Sequence, residues 1–215
     1  MSRNKIHIEI KLNFYNEYFT GGGKGTSAID CYTLKNIDGM PYIPASALKG
    51  KLRYIATEIY DSLFKKECKN YYKENEKCGC LMCSLFGEKE NSRGSLNFEN
   101  LYLNDNKNNN IFNERTGIQV NRYLKVVNDK ALFKYETSSI GDNYFFGEIN
   151  GYLEENDYKK QLLILFLAFN YMDTLGGFQS RGIGWIGNKK EIIMYVNGKE
   201  VTRKMLDEWR DEIEI

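Results

Sequence analysis

The chain has 215 residues, 42% of them hydrophobic and 14% aromatic, which is material for one sizeable core and too apolar for a disordered chain. Its 30 basic and 29 acidic residues nearly cancel, excluding a polycation that attracts nucleic acid through overall charge. No apolar run is long enough to cross a bilayer, and Met1-Ser2-Arg3-Asn4-Lys5 leads into strand-like alternation instead of an apolar signal region, so the cytoplasm is the expected compartment.

Residues 6–14 alternate Ile6, Ile8, Ile10 and Leu12 with His7, Glu9, Lys11 and Asn13, the two-residue period of a half-buried strand. His7, the only histidine, falls on the polar face and reads as a surface residue instead of a catalyst. Residues 20–26 hold Gly21, Gly22, Gly23 and Gly25, too many glycines for regular structure, and predict a mobile or ligand-moulded loop. Asp38-Gly39 marks a turn. Pro41 and Pro44 then force an extended approach to a helix that Ser46 caps and that runs to about Phe64. Leu48, Leu52, Ile55, Ile59 and Leu63 line one side of that helix, while Lys49 and Arg53, four apart, share another face.

Cys68, Cys78, Cys80 and Cys83 follow, four of the five cysteines in one segment. Without a secretory signal a disulfide pair is not expected, whereas four thiolates close a tetrahedral zinc site and leave no position for a catalytic water. The expected cofactor is therefore a structural Zn2+ that staples a loop. The alternative is that these are small buried fillers, the role expected of the isolated Cys31.

Residues 95–103 alternate as a strand, and 104–110 are polar and should be exposed. Residues 115–135 read as a long β-hairpin turning at Asn128-Asp129, with Arg115, Arg122, Lys125, Lys130 and Lys134 against a single acid, Asp129. A strand at 145–153, a buried helix at 158–175, a strand at 192–196 and an amphipathic helix at 202–212 complete the order. Between the last helix-to-strand pair, Gly176, Gly177, Gly182 and Gly184 surround Gln179, Ser180 and Arg181. Glycine amides and one guanidinium can converge there on an anion, although a tight turn also needs one or two of those glycines.

Bases gather locally at 46–53 and 176–190, which carry no acid, while Asp207, Glu208, Asp211, Glu212 and Glu214 crowd the other end of the chain. The order strand, helix, strand, excursion, strand, helix, strand predicts an α+β fold with a ferredoxin-like (RRM-like) core and helices on one face. We expect a single domain over 1–215, with a cysteine insertion at 65–92 and a projecting hairpin at 112–140.

Three segments together resemble the RAMP superfamily of CRISPR proteins: Tyr42-Ile43-Pro44-Ala45-Ser46-Ala47-Leu48-Lys49-Gly50-Lys51-Leu52-Arg53, then Arg115-Thr116-Gly117, then Gly176 through Gly184. Ala45 departs from the glycine or serine common in that family. The specific similarity is to the backbone subunit of type III CRISPR effector complexes. The resemblance implies that Lys49, Lys51, Arg53 and the loop residues Gly176, Gly177, Gln179, Ser180, Arg181 and Gly182 grip the backbone of guide RNA (crRNA). It implies that the hairpin, with Arg115, Arg122 and Lys125, acts as a thumb that interrupts the guide–target duplex. It further implies cleavage of complementary target RNA by an aspartate in the loop after the first strand, where Asp30 stands, with a divalent cation, expected to be Mg2+. The partners implied are guide RNA, target RNA, further copies of the chain and other effector subunits, with no membrane. Two other roles stay open: a non-catalytic RNA-binding scaffold or filament cap, and a guide-processing endonuclease. The latter usually relies on histidine, of which this chain has only His7.

Overall fold

The computed structural model describes residues 2–22, 25, 28–65, 68, 78–88, 92–104, 111–121, 123 and 125–213. Its centre is β1 (Arg3–Leu12), in which Ile6, Ile8, Ile10 and Leu12 are fully buried and the alternate residues face outward. Burying four such side chains contributes roughly 6–12 kcal/mol, an upper figure because unfolded chains already hide some of that surface. β1 pairs antiparallel with β9 (Phe145–Glu154) on one side and with β10 (Glu191–Val196) on the other. Beyond β9 lie β5 (Leu96–Phe98) and β6 (Leu101–Leu103), and the rims are β2 (Tyr42–Ile43) and β11 (Lys199–Glu200), two residues each.

Two helices cover one face of this sheet. α1 (Ala45–Phe64) buries Leu48, Leu52, Ala56 and Tyr60, and α3 (Tyr158–Asn170) is apolar on nearly every side. Both pack on the β1 aliphatics in a single core. Between them in sequence stand α2 (Leu81–Phe86), β3 (Gly87–Glu88) and β4 (Ser92–Arg93). α4 (Arg203–Glu212), capped by the Thr202 hydroxyl, seats Trp209 edge-on against Tyr158 of α3.

Several expectations shift in position. Ser46 does not cap α1: the cap position is Pro44, and the Ala45 amide instead donates to Asn100 Oδ1 at 2.8 Å. The strand expected at 95–103 breaks at Glu99 and Asn100 into β5 and β6, which frees Asn100 for that cap. The long hairpin forms from β7 (Phe112–Asn121) and β8 (Val126–Ser138), but it reverses between Asn121 and Val126 and places Asn128-Asp129 inside β8. Lys125 takes φ of 55°, the conformation a tight reversal demands. α3 stops at Asn170, where Lys190 Nζ donates to the Asn170 and Met172 carbonyls left open by the helix end. The expected exposure of 105–110 and the reading of 23, 24, 26 and 27 lie outside the described residues.

Candidate functional site

Three segments far apart in sequence meet beside the main core. Phe19, Tyr135 and Ile183 are buried together, with Cys31, Phe133 and Phe178 packed around them. The cluster therefore joins the loop after β1, the base of the β7–β8 hairpin and the glycine-rich loop. Residues 31 and 135 form a β-bridge, as do 18 and 138, so the loop after β1 runs along β8.

Asp30 sits on that seam and is exposed. Its backbone amide donates to the Lys134 carbonyl at 2.9 Å, and its Oδ2 accepts the Lys134 amide at 2.7 Å. The carboxylate is thereby fixed on the hairpin base, and Oδ1 has no protein donor among the described residues. Two acids that sequence reasoning missed hold the arrangement. Glu136 accepts from the Thr33 amide at 3.3 Å and pairs with Lys35 at 2.9 Å. Glu17, nearly buried, accepts from Arg115 Nε at 2.6 Å, from Thr137 at 2.9 Å and from Asn113 at 3.3 Å, while its carbonyl receives the Gly184 amide. Neither acid stands in a periodic pattern, so neither leaves a signal in the sequence.

The glycine loop is built differently from the expected amide nest. The amides of Gly177, Arg181, Gly182 and Gly184 donate to carbonyls of Phe19, Phe178, Gln179 and Glu17, and are spent on closing the loop. Gly176, at φ of 96°, lies so close to the Phe19 carbonyl that a Cβ would collide with it. What the loop offers outward is the side chain of Arg181. Its guanidinium carbon lies 4.9 Å from the Phe133 ring centre, 5.1 Å from Phe178 and 5.9 Å from Tyr135. Three rings thus hold an exposed cation that pairs with no acid among the described residues. Ser180 is exposed beside it, whereas Gln179 turns inward and bonds the Gly176 carbonyl at 2.9 Å.

The basic residues of α1 divide. Lys51 Nζ donates to Thr174 Oγ1 at 3.2 Å, and Thr174 donates to Gln179 Oε1 at 3.1 Å, so Lys51 is tied to the glycine loop. Lys49 and Arg53 share the expected face, but at about 100° per residue that face is some 200° from Lys51. Lys49 stands 5.8 Å from the Phe98 ring centre, and burial, helped by Arg53, lowers its pKa below the ordinary lysine value. The basic residues that the resemblance sets on one RNA backbone therefore lie on two surfaces flanking α1. Of the other expected contacts, Arg115 is occupied by Glu17, and in the basic segment at 176–190 Lys189 is occupied by Asp142 and Lys190 by the end of α3. Lys125 is exposed at the hairpin tip, and Arg122 lies outside the described residues. His7 is part-buried on the helix-free face, 2.8 Å from Asn150 Oδ1, away from this seam.

Beyond the C-terminal end of α1, the Sγ atoms of Cys68, Cys78, Cys80 and Cys83 all lie within 4.8 Å of one another. The Cys68 sulfur is 3.6 Å from those of Cys83 and Cys80. Tetrahedral zinc at about 2.3 Å from each ligand sets sulfurs ~3.8 Å apart, so the donor set fits the ion in kind and spacing. The neighbouring sulfurs, with burial behind them, push the Cys83 thiol well up, a cost that a bound dication would remove. Glu88 Oε1 braces the segment by accepting the amides of Cys78 and Gly79. Cys31 is apart from this group and packs in the cluster under Asp30, the filler role expected of it.

The fold and the seam define an α+β protein in which an antiparallel sheet carries a thumb-like hairpin, a glycine-rich loop and an exposed carboxylate around one small apolar cluster. The chain belongs to the RAMP superfamily, whose family model matches residues 11–187. No curated protein matches the chain. Membership fits a CRISPR-associated protein of a family that binds CRISPR RNA and other effector subunits and includes some endoribonucleases. No helix among the described residues is long and apolar enough to cross a membrane.

Proposed function

We propose that the chain is the backbone subunit of a type III CRISPR effector complex, working in the cytoplasm, which holds guide RNA and cuts complementary target RNA at regular intervals. The observation that carries this reading is the shared apolar cluster under Asp30, the thumb base and Arg181. A carboxylate, a hairpin able to part a duplex and an exposed guanidinium stand within one seam. Arg181 and Lys51 grip the phosphates on one flank of α1, Lys49 and Arg53 extend the grip on the other, and Lys125 with Arg122 serves the thumb. Contacts of this kind read no bases and leave specificity to pairing with the guide. A ferredoxin-like core suits the sheet, since its four main strands run β10, β1, β9 and the β5–β6 pair across, with α1 and α3 on one face. The domain is 1–215 with inserts at 65–92 and 112–140, the first stapled by Zn2+ on the four cysteines.

Asp30 positions or deprotonates the attacking 2′-hydroxyl through its carboxylate. Mg2+ is held by one or two carboxylates plus substrate phosphates, so Asp30 alone suits it as a protein ligand, and when bound it supplies positive charge to the reacting phosphate. In complexes assembled with Asp30→Ala, target cleavage should fall by at least ~100-fold while guide binding stays within about twofold. Undiminished cleavage overturns the catalytic assignment. A second reading, a non-catalytic scaffold, is favoured by one observation: Asp30 Oδ2 is already engaged by Lys134. It predicts that outcome, with guide binding intact.

A further inference from the structure

Beside the helix-free face, at the Arg3 end of β1, a cleft of about 640 Å³ opens between β1, α2, β4 and the β5–β9 pair. The ten residues of β1 rise about 3.4 Å each, so Arg3 stands some 30 Å along the strand from Leu12, the end from which the chain leads on to the Asp30 seam. Arg3, Lys5 and Arg93 line it, and all three are exposed. Some cations elsewhere on this nearly neutral chain are matched, as Lys11 is by Glu191, Lys35 by Glu136, Lys159 by Glu212 and Arg115 by Glu17. These three are different: none of their charged groups makes an ion pair or hydrogen bond with another described residue. The one acid in the lining is Glu154, opposite Arg3 in the strand register. Beside them Tyr152, in register with Lys5, shows 57% of its surface, and Asn97 adds an amide.

Unmatched cations gathered in a concave site recruit a polyanion, and a flat, exposed ring among them suits a nucleobase. An acidic peptide would use the charges and leave the ring idle. We propose that this cleft is a second nucleic-acid site, taking a short single-stranded RNA segment with phosphates on Arg3, Lys5 and Arg93 and one base stacked on Tyr152. Single strands are read on sheet faces by such stacking, where bases are splayed and the backbone is tracked by cations. The site is separate from the guide grip described above and does not depend on it.

The test uses the full chain and a fluorescent oligouridine of about eight nucleotides carrying one 4-thiouridine. Irradiation should link the RNA to the peptide containing Tyr152, and the link should persist when Lys51 and Arg181 are both changed to alanine. Anisotropy titrations across a series of KCl concentrations give the salt slope. In R3A/K5A/R93A that slope should fall by about 2, at ~0.7 per lost phosphate contact, with binding at least roughly tenfold weaker at low salt. Crosslinks confined to the glycine loop, with an unchanged slope in the triple variant, overturn this site and leave the guide reading standing. Crosslinks confined to Tyr152 support this site and count against the guide reading. Pyrophosphate or uridine monophosphate that competes as well as the oligomer marks the cleft as a free-phosphate site and overturns the strand. If the triple variant fails to fold, the wild-type crosslink and a Tyr152→Ala titration decide the matter.

Discussion

Arg181 and Glu17 show how differently two charged residues act within one seam. Arg181 is presented by three rings and keeps its charge for a ligand, so Arg181→Ala should weaken RNA binding by about 1.5–3 kcal/mol, the worth of a charge-assisted hydrogen bond. Arg181→Lys should recover the salt dependence but only part of the affinity, because an ammonium lacks the planar fork that stacks on rings and spans two phosphate oxygens. Equal affinities for the lysine variant and the wild type count against ring-held presentation. Glu17, by contrast, spends its carboxylate inside the protein on Arg115, Thr137 and Asn113. Glu17→Gln keeps the shape and loses the charge, at a cost of about 1–3 kcal/mol. Amide hydrogen exchange in β7 and β8 should speed up selectively, while exchange in β1 stays at its wild-type rate.

At the scale of elements, the hairpin depends on one close approach. Phe133 lies across the hairpin onto the Cα of Gly117, and a Cβ there would come 2.2 Å from the tip of the ring. Gly117→Ala should displace Phe133, cost about 1–3 kcal/mol in overpacking, and loosen Arg181 through the ring it loses. A thermal melt lowered by roughly 2–12 °C, together with weaker RNA binding, is the expected pair of results. The cysteine segment makes a separate claim. Purified protein should hold about one equivalent of zinc, and Cys83→Ser should lose it with roughly 3 kcal/mol of stability. The alternation of β1 and the apolar face of α1 were legible in the sequence because period and burial coincide there. The break at Asn100 was not, since that residue leaves the strand to cap α1 across 55 positions. The reversal near Lys125 was hidden too, because Asn128-Asp129 has the better turn chemistry and tertiary pairing overrides it.

For the whole molecule, the cysteine order and the glycine-rich segment pointed to two functional regions, and the structure adds why they are independent. The four sulfurs cluster past the last turn of α1, while Lys51 near its first turns reaches the glycine loop. Between Lys51 and Phe64 the helix rises about 20 Å, which separates them. Convergence of Asp30, the thumb and Arg181 was not readable in advance, because it rests on Phe19, Cys31, Tyr135, Phe178 and Ile183, which share no spacing. Partial chelation should therefore lower thermal stability before it alters RNA affinity, and a parallel loss of both would show the two regions to be coupled. The rims of the sheet carry a further consequence. An incoming chain that tried to join by main-chain hydrogen bonding would meet only Tyr42–Ile43 at one border or Lys199–Glu200 at the other, too short a template to zip against. Docking across these two rims therefore falls to side chains, so any contact made there is set by surface shape and can be undone by point substitutions.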